Sequence, residues 1–502
     1  MDKSKSKVRL IYNTCLGIAN KFLICVLGMF LRRIFMKYMG AELSGLSNLY
    51  QNIIEFLNLA TAGFITAIYP RLYQYNADNN YSAIQRIVRL SRQFYYLIAL
   101  FIVVFGIGCS FFLEQLIYDN QYTTSFLRVV FLLQVITQSI RMISAPNVAL
   151  LSAREQGYYG IWCDLIINIF IYISQMIIVL NFRNYFYYLL IGLVGNAIYV
   201  IVLDVTARKL YPWAFSPVLG RIEKVAGLFH DLKNTIVMQF ANFIFNSTDS
   251  IVISRNMGLV YVNSYGNYMA IATAILAIYT PIDTAVRNYF GNKMMSENLE
   301  VAKNEFLETV TFIYFVIGSI CAVEYIVLIT PFITLWLGEE YVQPTSIEIL
   351  FGSYIFFQIM YNAVPAYLQI RGMFDKDMRA NISSALINLF LSIIFVRSYG
   401  IGGVLMGTII GLSLRFIQRT FGCYKNLSEK TWQYIILIAK YCGIYLLSLF
   451  LAYRIIEFIN MDIPLLSMAL KGIVGVVIVI FACIIMFHKK FLHLIDIFHN
   501  FK

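Results

Sequence analysis

Long apolar runs alternate with short polar segments along the whole chain. A helix needs about 20 mostly apolar residues to cross the hydrocarbon of a bilayer. By that measure fourteen spans are predicted, at roughly 10–31, 44–66, 93–113, 125–150, 160–181, 185–206, 234–254, 262–282, 306–330, 346–370, 380–397, 400–420, 433–454 and 464–487. The pattern is written twice. Shifted by 218 positions, Met39-Gly40 falls on Met257-Gly258, Tyr50 on Tyr268 and Ala67 on Ala285; shifted by 219, Pro146 falls on Pro365. A near-constant offset predicts a duplicated six-helix unit: an N-lobe over residues 1–215, a C-lobe over 216–425, and two further spans with a tail over 426–502. The longest loop, about 207–233, joins the halves and carries the helix breakers Tyr211-Pro212-Trp213 and Ser216-Pro217. Paired repeats in membrane proteins frame sites that open to one side and then the other, so the duplication points to a transporter.

Composition turns this pattern into a class. Of 502 residues 60% are hydrophobic and 13% charged, and mean hydropathy is +0.71. So few charges cannot make a water-soluble surface. The first span lacks a small-residue cleavage site after it and runs into Arg32 and Arg33, which predicts a retained helix. The net charge of +12 is scattered among loops and reports topology, not nucleic acid. With the N-terminus inside, inner segments hold 26 Lys and Arg, outer segments and helix ends 7, and the remaining 6 sit in spans. Both termini are therefore expected in the cytoplasm. After the second span, Tyr81–Arg92 has the pattern of an amphipathic helix at the inner interface, with Arg86, Arg89 and Arg92 positioned for anionic headgroups. The eight cysteines show no paired spacing and the four histidines no ligand cluster, so neither disulfides nor a metal site is expected.

Polar groups inside the spans are the candidate chemistry. The seventh span carries Thr235, Gln239, Asn242, Asn246, Asp249 and Ser250, whose steps of three and four share one helix face. The second span carries Asn48, Asn52, Glu55 and Asn58; the first places Lys21 and Arg32 eleven residues, three turns, apart. A charge at mid-bilayer costs about 2.5–3.5 kcal/mol on insertion scales, which disfavours lipid as the neighbour of these faces. Asn, Gln and Ser also bridge packed membrane helices, and Lys21 could pair with Glu55 or Asp249. A stripe running nearly the whole span exceeds what a structural bridge needs, so the three faces are expected to line a wet cavity. Cations lead there: Lys21, Arg32, Arg33, Arg141 and Arg415 against Glu55 and Asp249. Such a set favours phosphate oxygens, while Asn and Gln suit sugar hydroxyls. Asp164 and Glu324 are lone acids that could carry a coupling proton.

Leu31-Arg32-Arg33-Ile34, Met39-Gly40-Ala41-Glu42, Ser44-Gly45-Leu46 and Ala67-Ile68-Tyr69 resemble the opening of bacterial polysaccharide flippases, the Wzx-type members of the multidrug/oligosaccharidyl-lipid/polysaccharide (MOP) superfamily. Met39 replaces the usual Leu, and Thr61 stands where many relatives carry an acid. The fourteen spans, the twofold repeat and the two added helices also look like that superfamily. The resemblance implies an all-α polytopic fold of two pseudo-symmetric bundles in a V, similar to the multidrug (MATE) exporters, in the bacterial plasma membrane. It implies alternating access for an undecaprenyl-diphosphate-linked sugar repeat unit, serving capsule, O-antigen or teichoic-type polymer assembly, with a polymerase and other assembly proteins as partners. Lys21, Arg32 and Arg33, with Arg141 and Arg415, would hold the diphosphate. Asn48, Asn52, Glu55, Gln239, Asn242, Asn246 and Asp249 would meet sugar. No cofactor is expected beyond a proton or Na+ as coupling ion.

Three rivals remain. A lipid II flippase of the MurJ kind shares the fold. A cation-coupled drug exporter should have a more acidic or apolar chamber, against which Lys21 argues. A membrane polymerase or ligase needs a sizeable outer loop with Arg or His, and no outer loop here exceeds about 15 residues. An ATP-driven pump would need a Gly-x-x-x-x-Gly-Lys-Ser/Thr loop, which the sequence lacks.

Overall fold

The computed structural model describes the chain apart from residues 1–2, 58–70, 77, 119–120, 217–227, 297–298, 372, 425–428, 460–462 and 500–502. Side chains are described except also at 3–11, 57, 228–239, 242, 246, 292–296, 299–302, 305, 374–376, 429, 489 and 491–499. Among the described residues the main helices follow in order: α1 (Lys3–Met39), α2 (Ala41–Leu57), α3 (Tyr81–Ser110), α4 (Thr124–Met142), α5 (Ala145–Ala153), α6 (Tyr158–Asn181), α7 (Tyr185–Leu210), α8 (Leu228–Met257), α9 (Leu259–Ser296), α10 (Leu299–Trp336), α11 (Thr345–Met360), α12 (Ala363–Ile370), α13 (Phe374–Tyr424), α14 (Glu429–Ile456) and α15 (Pro464–His499). The architecture is all-helical among the described residues, as the apolar periodicity requires: only a helix satisfies every backbone donor and acceptor within one span of lipid. Eleven described stretches are long and apolar enough to cross a membrane, which makes this an integral membrane protein. One of them, Asp377–Tyr424, is two legs joined at Gly400, whose φ is 58°. The expected second span begins on α2 and continues into residues outside the described set, and the seventh lies on α8.

The chain divides into two compact units, one of residues 1–243 with 254–263, the other of residues 244–253 with 264–502. In the first unit α1 packs on α6, α6 on α7, and α4 on α3 and α7. The end of α8 and the start of α9 are clipped into it: Ser254 Oγ donates to the Leu116 carbonyl at 2.8 Å, and the Tyr118 N–H donates to the Ser254 carbonyl at 3.0 Å. Gly45 faces the Leu259 backbone so closely that an added Cβ would stand 1.9 Å from its carbonyl oxygen. In the second unit α10 is the buried centre, against α11, α14 and α15. Aromatic stacking docks α14 there, Tyr441 on Phe315 at 4.4 Å and Tyr445 on Phe356 at 4.0 Å.

The repeat is visible inside each unit. Tyr50 and Tyr268 are both fully buried, and each packs its ring on a phenylalanine, Phe131 and Phe351 respectively. The fourth and tenth spans both break short of their ends: α4 gives way to α5, with Pro146 in its first turn, and α11 to α12, which contains Pro365. Proline lacks the N–H that would continue the preceding helix, so the duplicated Pro marks a duplicated break.

The segment Tyr81–Arg92 is not a separate surface helix but the first turns of α3, capped by Asn80. Its Arg92 pairs with Asp204 at 3.2 Å and lies over the Phe215 ring, so at least that arginine is held by protein and not by headgroups.

Candidate functional site

The first unit holds a half-open chamber of about 370 Å³. Four helices build it: α2 supplies Ser47, Gln51, Ile54 and Glu55, α4 supplies Gln134, Thr137 and Gln138, α6 supplies Gln175, and α7 supplies Tyr188, Leu189 and Gly192. On α2 and α4 these positions repeat at three and four residues, so each helix turns one face inward, polar throughout on α4 and polar but for Ile54 on α2. Several lining groups are held in place. Gln134 Nε2 donates to the Tyr185 hydroxyl at 3.2 Å, Gln175 Nε2 to the Tyr188 carbonyl at 3.0 Å, and Thr137 Oγ1 to the Leu133 carbonyl at 2.7 Å. A chamber with this many amides and hydroxyls suits a ligand rich in hydroxyls and amides.

A basic network lies in the same unit. Arg141 on α4 binds Asp164 on α6 through Nη2 at 2.5 Å and donates to Asn196 Oδ1 on α7 at 2.7 Å, with its guanidinium over the Tyr199 ring. Asn20 on α1 donates to the other Asp164 oxygen at 3.2 Å, and Asn168 donates to Oδ1 at 2.9 Å. Asp164 thus neutralises Arg141 and is not a lone acid. Arg32, half-buried on α1, is an electrostatic neighbour of Tyr188 on the chamber wall. Lys21 and Arg33 are exposed. Since Asn20 is turned in against α6, its neighbour Lys21 is carried about 100° around the helix. At the mouth of α2, outside the spans, the Tyr122 hydroxyl donates to Glu42 at 3.2 Å; burial, then the nearby Glu42 carboxylate, pushes this phenol up to about 12 and keeps it a donor.

The second unit holds a buried oxygen cluster around Asp249, which is 2% exposed. Its Oδ2 accepts from the Tyr265 hydroxyl at 2.9 Å and from Thr408 Oγ1 at 3.2 Å. Thr408 also reaches Asn388 Oδ1 at 3.3 Å and the Val404 carbonyl at 3.1 Å, and Ser392 donates to Asn388 Oδ1 at 3.1 Å. Asp249 Oδ1 is buried without a hydrogen-bond partner among the described atoms. One carboxylate among neutral oxygens is a donor set for a small hard cation or a proton. Arg415, 8% exposed, donates through Nε to Ser384 Oγ at 2.8 Å and stands 3.8 Å over the Phe245 ring, while its Nη2 is buried without a partner among the described atoms. One turn on, Arg419 pairs with the buried Asp377 at 2.5 Å. Glu324 on α10 packs against Gly472 and Gly475 of α15.

The sequence-derived set is therefore distributed. Glu55 lines the chamber and Arg32 neighbours its Tyr188, while Arg141 is engaged by Asp164 and Asn196, and Lys21 and Arg33 are exposed, on the same unit. Asn48 and Asn52 sit on α2 beside its lining face, Asn52 donating to the Asn48 carbonyl at 3.0 Å. Arg415 and Asp249 are buried in the other unit, and Asp249 faces Tyr265 and Thr408 instead of an open surface. The side chains of Gln239, Asn242 and Asn246 fall outside the described residues. Two further polar stripes are readable in the sequence. Gln134, Thr137 and Gln138 share a face in the fourth span, and Asn381, Ser384, Asn388 and Ser392 step by three and four along the eleventh.

No protein-family model matches the chain, and no curated protein matches it by sequence. Solved structures do. The lipid II flippase MurJ in its inward closed conformation aligns with a TM-score of 0.68 and 17% identity, over 95% of this chain and 99% of that one. An inward-facing multidrug resistance MATE family transporter of the MOP superfamily gives 0.61 and 13%, over 84% and 96%. A MOP superfamily transporter from Pyrococcus furiosus, described as having a binding pocket of reverse polarity, gives 0.52 and 16%, over 84% and 95%. At such identities the likeness is one of fold, and the fold is that of MOP-superfamily transporters.

Proposed function

We propose that this protein is a flippase that moves an undecaprenyl-diphosphate-linked oligosaccharide from the inner to the outer leaflet of a bacterial plasma membrane by alternating access, with both termini cytoplasmic. The observation that carries the reading is the chamber of the first unit: its wall holds four glutamines, Ser47, Thr137, Glu55 and Tyr188 among Ile54, Leu189 and Gly192, with Arg32 an electrostatic neighbour of Tyr188. Amides in a water-filled chamber recognise sugar hydroxyls, and arginines recognise phosphate oxygens. The fold shared with a lipid II flippase supports the same class of cargo. In this reading Arg32, Lys21 and Arg33 meet the diphosphate, and the chamber amides meet the sugars. The Asp249 cluster takes the coupling ion, Na+ or a proton, since a buried carboxylate with a spare oxygen is stabilised by either.

A second reading, export of lipid II itself, is favoured by a lipid II flippase structure that aligns over 95% of this chain and 99% of that one. Depletion of the protein in its native host separates the two. Lipid-linked repeat units accumulating on the inner leaflet with peptidoglycan synthesis intact supports the first reading. Lysis with lipid II accumulation, together with rescue of a strain lacking its own lipid II flippase, replaces it with the second.

A further inference from the structure

A second cavity, about 380 Å³, lies far from the chamber in sequence and entirely within the second unit. It is framed by α10, α14, the end of α13 and α15 beyond the break at Phe487 (φ −135°, ψ 38°). On α14 the lining positions Lys430, Gln433, Leu437 and Lys440 step by three, four and three, so one helix face looks into it. Lys490 enters from α15, and the lone carboxylate of the lining, Glu308, is already engaged by Lys490 at 3.3 Å. Three lysines and one glutamate therefore line the pocket, and Lys490 is the lysine that the glutamate holds. Lys440 lies three turns into its helix and makes no ion pair among the described residues. The walls are fixed: Tyr434 bonds Thr311 at 2.6 Å, and Lys303, behind the pocket, donates to the Cys423 carbonyl at 2.8 Å and stands over the Tyr424 ring.

The surroundings choose the ligand class. Ile436, 52% exposed, and Leu437 line the same pocket, and Trp432, also 52% exposed, marks the adjoining face of α14. The basic loops assign this end of α14 to the cytoplasmic side, where anionic lipids are concentrated and basic pockets between helices hold their headgroups. We propose that this pocket binds the phosphodiester headgroup of an anionic glycerophospholipid from the inner leaflet, with Lys430, Lys440 and Lys490 around the phosphate and an acyl chain laid along Ile436. The ligand bridges α10, α14 and α15, and so ties the two helices outside the repeat to α10 within the second unit.

Native mass spectrometry of the purified full-length protein tests this, with phosphatidylglycerol, phosphatidylcholine, undecaprenyl diphosphate and inorganic phosphate titrated separately. Phosphatidylglycerol should be retained in preference to phosphatidylcholine. Lys440→Gln should lower that retention about five-fold, and the triple Lys430→Gln, Lys440→Gln, Lys490→Gln variant about 100-fold, since each surface cation near an anionic lipid contributes about a factor of five. Arg454→Gln, at the far end of α14, should change nothing. Equal retention of the two phospholipids, or an unaltered Lys440→Gln variant, overturns the proposal. So does Lys440-dependent binding of inorganic phosphate alone, or of undecaprenyl diphosphate in preference to phosphatidylglycerol. Should the triple variant not fold, Lys440→Gln and Lys440→Glu carry the test, the second being expected to bind less than the first. Export is no part of the readout, so this result stands or falls apart from the flippase reading.

Discussion

Gly40 and Gly258, 218 residues apart, take the same left-handed backbone, with φ of 89° and 97°, and each forms the single-residue joint between two long helices. The joint at Gly40 turns α1 into α2 and that at Gly258 turns α8 into α9. A side chain in this conformation meets its own carbonyl, so glycine is needed for the backbone geometry even where the surrounding space is open. At Gly40 it is open, with nothing within 4 Å of an added Cβ.

Gly40 and Gly45 should therefore fail for different reasons. Gly40→Ala carries only the conformational cost, about 1–2 kcal/mol, and Gly40→Asn less, because Asn tolerates this region. Gly45→Ala drives a methyl into the Leu259 carbonyl and should cost more than Gly40→Ala, at the upper end of the roughly 1–3 kcal/mol of overpacking or beyond. Thermal melting of the detergent-solubilised variants ranks them, and a Gly45→Ala protein as stable as wild type would refute the close approach.

Arg141 and Asp164 should behave as one unit. Either Arg141→Gln or Asp164→Asn leaves a charge inside the bundle with its partner gone, whereas the double variant removes both. The pair is 35% and 21% exposed, so solvent screening moderates the coupling to about 1–2 kcal/mol. A double-mutant cycle on melting free energy should show the double variant less destabilised than the sum of the singles; strict additivity would dissolve the network.

The chamber should be wet. In a variant lacking the eight native cysteines, Gln138→Cys and Gln51→Cys should label with aqueous thiol reagents, and Gln138→Leu should cut export at least ten-fold while leaving the melting temperature within a few degrees of wild type. Protection of both cysteines from every aqueous reagent would return these amides to helix packing.

Asp249→Asn should abolish ion-dependent export with protein level retained. If the wild type is stabilised by Na+, the variant should lose that shift, because a ligand bound only to the folded protein raises its melting point and removal of the site removes the rise. Thr408→Val, which deletes one of the two hydroxyls on Oδ2, should weaken the shift without eliminating it. Export unchanged in Asp249→Asn would discard the coupling role.

Lys21→Ala separates the exposed cations from the buried ones. It should abolish export and leave stability unaltered, since Lys21 is exposed on α1, whereas Arg415→Gln should lower both, because Arg415 is buried against Phe245 and Ser384. Normal polymer display in the Lys21 variant would remove it from the diphosphate site.

What the sequence alone determined was set by periodicity and repetition. Apolar runs of spanning length can be satisfied in lipid by helices, so the all-helical fold was legible, and the offset of 218 marked the paired glycine joints and the paired tyrosines, with the paired proline breaks one position further apart. Polar stripes were legible as faces. Which face meets which partner was not, because a stripe fixes direction around one helix axis and says nothing of the rotation of its neighbour. The tertiary structure decided that Asn20 and not Lys21 turns toward Asp164, that Asp164 is spent on Arg141, and that Ser47 and Gln51 line the chamber while Asn48 and Asn52 lie beside it. It also decided that Asp249 is closed in by Tyr265 and Thr408, residues 16 and 159 positions away. Such pairings depend on how helices pack side by side, and packing is a property of several segments at once that no single stretch of sequence carries.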